Sequence, residues 1–93
     1  MPDRLPPRRR ATALHYTHGD AAPTVTATGA GLLAERIIAA AREAGVPVRE
    51  DPALVEALAA LDLGAHVPEP LWKAVAETLA WAYRLDAGAA RRG

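Results

Sequence analysis

The stretch "GAGLLAERIIAAAREAGVPVRE", residues 29–50, is the one on which the fold turns. Gly29 and Gly31 interrupt a β-type run and open a helix that the pattern carries to Ala44. On a wheel of about 100° per residue, Leu33, Ile37, Ala40, Ala41 and Ala44 cluster on one arc, which Ala34 and Ile38 extend. Glu35, Arg36, Arg42 and Glu43 fill the opposite arc, so the helix is amphipathic and covers a sheet. Gly45 is a helix stop. "VPVRE", residues 46–50, reads as a strand, and Pro47 assigns it to a sheet edge or a bulge.

Upstream, "ATALHYT" (11–17) alternates, with Thr12, Leu14 and Tyr16 on one face and Ala11, Ala13 and His15 on the other. "HGDAAP" is turn chemistry. "TVTATG" (24–29) is a second strand, with Val25 and Ala27 facing one side and its threonines the other. Strand, helix and strand over 24–50 form a βαβ unit with a right-handed crossover. Downstream, "DPALVEALAALDLG" begins with Asp51 as N-cap and Pro52 at the first helical position. Leu54, Ala57, Leu58 and Leu61 form its apolar stripe, and Gly64 closes it. After "AHVPEP", a last helix spans about 70–85; Lys73, Glu77 and Arg84 make its one polar stripe. The expected fold is α/β: a small sandwich with a three-stranded mixed sheet, one βαβ unit and three main helices. Residues 1–10 read as a flexible basic, proline-rich arm, 11–85 as the domain and 86–93 as a frayed tail.

A chain of 93 residues holds one core. Apolar residues make up 51% of it, but alanine inflates that share and Phe is absent, so the core is thin. Eleven basic and eleven acidic residues cancel, which argues against a general nucleic-acid or membrane-surface binder. With no cysteine, thiolate catalysis, disulfides and Cys-based zinc sites are excluded. The N-terminal run "MPDRLPPRRR" lacks the apolar core of a signal peptide. The last helix falls short of the roughly 20 apolar residues of a membrane span, and a cytoplasmic protein is expected.

Chemistry-bearing residues are sparse. His15, His18 and Asp20 form an H-x-x-H-x-D cluster near a turn, with His66 far along the chain. A metal site needs converging ligands and an oriented second layer, so surface histidines are the expected reading. "GAG" at 29–31 resembles the start of a phosphate loop, but Ala34 stands where a third glycine belongs. Glu50 and Asp51 lie near the spacing of a ribose-binding acid, yet one βαβ unit leaves little crevice for a dinucleotide. The chain has no serine, and its carboxylates are scattered over helix surfaces. No enzyme activity, metal or cofactor is expected.

Four segments read together carry a resemblance: "ATALHY", "AAPTVTATG", "GAGLLAERIIAAAREAGVPVREDPALVEAL" and "LGAHVPEPLWKAVAETLAWAYRL". Over residues 11–85 the chain resembles the cytoplasmic C-terminal domain of the FlhB/YscU family, the switch proteins of flagellar and type III secretion export gates. Members carry an Asn-Pro-Thr-His loop before the first of these strands, where the Asn side chain attacks its own backbone carbonyl and the chain breaks before Pro. In register, that loop falls at Pro6, Pro7, Arg8 and Arg9. Only Pro7 matches, and without the Asn nucleophile self-cleavage by this route has no chemistry. The resemblance implies a stand-alone, non-enzymatic binding module, located in the cytoplasm or at the membrane-embedded export apparatus. Its implied partners are export-gate components and rod- and hook-type export substrates. A shallow apolar patch thought to receive substrates maps onto Ala22, Pro23 and Ala76. Periodicity adds Trp72 and Tyr83, which project within about 40° of Ala76 on the last helix. A small residue between two aromatics leaves room for an apolar side chain; the competing reading buries the same face in the core.

The residues also admit other readings: an orphan copy recruited to unrelated regulation, a weak nucleic-acid binder using Arg8, Arg9, Arg10, Arg91 and Arg92, or a nucleotide-binding enzyme. The family's first strand has no counterpart in "DRLPPRRR", whose prolines cannot donate to a ladder. Strand 11–17 is therefore expected to keep an open edge, a route to weak homodimerisation or to strand donation by a partner.

Overall fold

The computed structural model of the chain describes residues 9–92, and side chains over 9–85. Two strands, β1 (Arg10–His15) and β2 (Thr24–Ala30), pair antiparallel. Three helices follow: α1 (Leu32–Glu43), α2 (Pro52–Leu58) and α3 (Trp72–Arg92), the last entered through a 3-10 turn at Glu69–Leu71. The turn between the strands closes on Asp20, whose carboxylate accepts from the Thr17 amide at 2.8 Å while its own amide donates to the Thr17 carbonyl at 2.9 Å.

The sheet has two strands, not the three expected, and there is no βαβ unit among the described residues. Residues 46–50 leave α1 as irregular chain. The reason lies at the outer edge of β2, which another segment occupies. The Val25 amide donates to the Ala65 carbonyl at 2.9 Å and its carbonyl accepts from the Gly64 amide at 2.7 Å. The Val67 amide then donates to the Pro23 carbonyl at 2.9 Å, and Thr24 bridges His66 antiparallel. The run "AHVPEP", read as a plain connection, thus extends the ladder, and Pro47 has no amide with which to compete. β1 pairs with β2 alone among the described residues, so its other edge carries no strand.

A β-bulge between Ala13 and Leu14 changes the expected faces. Ala13 pairs with Ala27 and Leu14 with Val25, which leaves Thr26 as the extra residue. The Thr26 hydroxyl donates to the Ala13 carbonyl at 3.2 Å. Directly paired residues share a face and successive residues do not. Val25 therefore joins Leu14 on one face, and Ala27 joins Ala13 on the other.

α1 packs on both strands through Ala34, which is fully buried, with Ile37, Ile38 and Ala41 half-buried. Its contact arc is rotated from the expected one, because Leu33, Ala40 and Ala44 face outward. α2 starts as expected: the Asp51 carboxylate accepts from the Leu54 amide at 3.1 Å, with Pro52 at the first helical position. It ends at Leu58, well before Gly64, and Ala57 points to solvent. Leu54 and Leu58 meet Val67 and Val75 in the core, with Leu14, Leu61, Leu71, Ala74 and Leu79 packed around them. The largest fully buried side chains are valines (Val25, Val67 and Val75), as the scarcity of large apolar residues implies.

At the two ends, β1 begins at Arg10, and the Arg9 carbonyl accepts from the Gly31 amide at 2.8 Å. Arg10 therefore belongs to the sheet and Arg9 is hydrogen-bonded just before it, whereas residues 1–8 of the expected arm lie outside the described residues. α3 runs past Leu85 to Arg92, so the expected frayed tail continues the helix, in keeping with the helix propensity of alanine and arginine. Among the described residues no helix is long and apolar enough to cross a membrane.

Candidate docking site

The 3.6-residue period of α3 places Trp72, Ala76, Ala80 and Tyr83 along one flank, beside the stripe that carries Val75 into the core. That flank faces the segment leading into β2. Between them lies an open hollow of about 340 Å³, lined by Tyr16, Ala21, Ala22, Pro23, Trp72, Val75, Ala76, Leu79, Ala80 and Tyr83. Buried Ala22, Pro23 and Val75 form its base. Trp72 is 42% exposed and Tyr83 54% exposed, and these two rings stand at its rim with Ala76 open to solvent between them.

Two hydrogen bonds set the spacing of the walls. The Trp72 indole N–H donates to the Val67 carbonyl at 2.7 Å, and the Val67 amide donates to the Pro23 carbonyl at 2.9 Å. The first turn of α3 is thereby tied to the start of β2 through one residue of the intervening loop. A pre-shaped hollow of this kind loses less freedom when a ligand enters than a mobile one does. Among the described residues no charged side chain lines it, and its indole N–H already has an acceptor. Its described lining is mostly apolar.

All five residues singled out in the sequence, Ala22, Pro23, Trp72, Ala76 and Tyr83, line this one hollow. Tyr16 was missed, although strand alternation already set it on the Leu14 face. Leu79 and Ala80 were missed as well, and the same helical period would have found them.

The remaining chemistry-bearing residues have local roles. His15, His18, Asp20 and His66 are exposed; the His15 Nε2 lies 3.1 Å from the Thr17 hydroxyl, and Asp20 closes the turn. Gly31 caps α1 with φ 62° and ψ −130°, a region open essentially to glycine. At Gly29 an added Cβ would meet the Leu33 side chain at 2.5 Å, so close helix packing explains that glycine. Asp51 is engaged as a helix cap and Glu50 is exposed. Arg10 lies 3.7 Å from Glu56 in an exposed pair, an arrangement that contributes little stability. Of the other arginines of the basic-arm reading, Arg8 lies outside the described residues, as do the side chains of Arg91 and Arg92.

A two-stranded sheet carrying three helices is the architecture of a known class of C-terminal domain. The crystal structure of a mutated EscU C-terminal domain superposes with a TM-score of 0.78 at 31% identity, covering 82% of this chain and 94% of that one. The family described as FlhB HrpN YscU SpaS matches residues 6–82, and the chain belongs to it. YlqH of Bacillus subtilis, an uncharacterized protein, is 47% identical over 81 residues, 86% of this chain and 87% of that protein. The flagellar biosynthetic protein FlhB of Yersinia enterocolitica is 43% identical over 81 residues, which are 85% of this chain. The match spans only 21% of that FlhB, about a fifth of its length.

Proposed function

We propose that the chain is a non-enzymatic protein-binding module of flagellar or type III protein export, working on the cytoplasmic side of the export apparatus. In this reading the hollow on α3 docks an apolar side chain presented by an export substrate or a gate component. Family membership supports the export setting. The observation that carries the docking role is Ala76, a small exposed residue between two exposed aromatic rings over an apolar base. Exposed aromatic side chains around a pocket are recurrent binding anchors.

The test is Ala76→Asp. Because Ala76 is exposed, the new carboxylate stays hydrated, and stability is expected to change by no more than about 0.5 kcal/mol. An apolar side chain entering the hollow would have to strip that charge of water. Affinity for an export-substrate segment, measured by titration calorimetry, is expected to fall about tenfold or more, roughly 1.4 kcal/mol. Unchanged affinity in a folded Ala76→Asp variant would remove the docking role from this hollow.

The absence of a nucleophile at the scissile register has its own consequence. Pro6, Pro7, Arg8 and Arg9 carry no Asn side chain to attack the backbone, so the purified chain is expected to stay whole. Intact-mass spectrometry after prolonged incubation at mildly alkaline pH should show one species. A defined break before Pro7 in protease-free protein would contradict the non-enzymatic reading.

A further inference from the structure

The outer face of α1 carries a second apolar surface, on a different element from the hollow. Leu33 is 52% exposed, Ala40 and Ala44 are exposed, and Ile37 is half-buried beside them. At about 100° per residue these four fall within an arc of roughly 60°. Arg36 and Glu43, both exposed, border that arc together on one side, within roughly 20° of each other. They stand two turns apart, about 10 Å along the axis, which is too far for them to pair with each other.

This pattern is complementary to itself. With two copies of α1 laid antiparallel about a two-fold axis, Leu33 of one copy falls over Ala44 of the other, and Ile37 over Ala40. Large side chains then meet small ones, the condition for close helix packing. The same symmetry brings Arg36 of each copy to Glu43 of the other, so two ion pairs form along one border. A parallel arrangement would instead turn this border toward the opposite border of the second copy, where Ala34 and Ala41 lie against the sheet, and neither charge would meet its opposite. We infer that the outer face of α1 is a homodimer interface, formed by antiparallel packing of α1 on α1.

Magnitude sets the strength of this contact. A 12-residue helix is about 18 Å long, and one such pair buries well under the roughly 1,200 Å² of a stable interface. The dimer is therefore weak, with a dissociation constant on the order of 100 µM. It is an isologous contact, which closes at two copies.

Sedimentation equilibrium of the full chain, from about 10 µM to about 1 mM, is expected to show monomer and dimer in exchange. Arg36→Glu and Glu43→Arg are each expected to weaken the dimer about fivefold or more, and the double swap to restore it to within about twofold. Ala40→Glu, which places a charge in the seam, is expected to leave monomer only. All three positions are exposed, so each variant is expected to fold, and a thermal melt of each is the control for this. A wild-type chain that stays monomeric over the whole range overturns the inference. So does a dimer indifferent to these changes, which would point to the free edge of β1, or single swaps that the double swap fails to rescue. Ala76→Asp lies on α3 and should leave the dimer unchanged, so a failed docking test does not touch this one.

Discussion

Val75→Asp is expected to abolish the folded state at room temperature. Val75 is 1% exposed and packs with Leu54, Leu58 and Val67, where no buried polar or charged group is found among the described residues. A carboxylate there has no partner and no water, and either ionised or protonated it costs several kcal/mol. A 93-residue chain whose largest fully buried side chains are valines sits near the lower part of the usual range, about 5 kcal/mol. The cost and the reserve are of the same size. Far-UV circular dichroism and amide shift dispersion should both collapse, while Ala76→Asp, one residue further along α3, retains them. A Val75→Asp protein that melts like wild type would mean that Val75 does not face the core.

Leu58→Ala is expected to cost about 2–5 kcal/mol, the usual result when a buried leucine is truncated in a core that closes only partly around the gap. α2 is seven residues long and holds itself to the core through two buried side chains, Leu54 and Leu58. A helix of that length has no stability of its own in water. Removing one anchor should therefore loosen all of α2, and hydrogen exchange there should speed up together with a lowered urea midpoint. Leu63→Ala deletes the same atoms at a position that is 66% exposed, and it should stay within about 0.5 kcal/mol of wild type. Equal losses at the two sites would show that Leu58 is no more buried than Leu63.

The docking hollow was legible in the sequence to the extent that it lies on one helix. Trp72, Ala76 and Tyr83 share a flank because of the 3.6-residue period, whatever the rest of the chain does. Whether that flank faced solvent or core was undecided, since α3 is apolar on two sides. Tertiary packing settled it by turning Val75 inward and leaving Ala76 out. The opposite wall came from across the chain. Pro23 reaches the hollow through a ladder with Val67 that spans many residues, and Tyr16 through the pairing of β1 with β2.

Local chemistry alone determined the start of α2 at Asp51 and Pro52, the helical character of α1 and α3, and the antiparallel turn between β1 and β2. In each of these the deciding interactions lie within a few residues: a capping carboxylate, a glycine with positive φ, a side-chain period. The neighbour of β2, the bulge that turns Val25 away from Ala27, and the arc of α1 that meets the sheet were decided only in three dimensions. "VPVRE" and "AHVPEP" both offer extended chain, and local propensity ranks the first above the second. Ala65 and Val67 nevertheless hold the edge of β2, because Leu58 and Val75 pull that loop into the core as Val67 is buried. A periodic pattern says which residues share a face; which face is covered depends on what the rest of the chain brings against it.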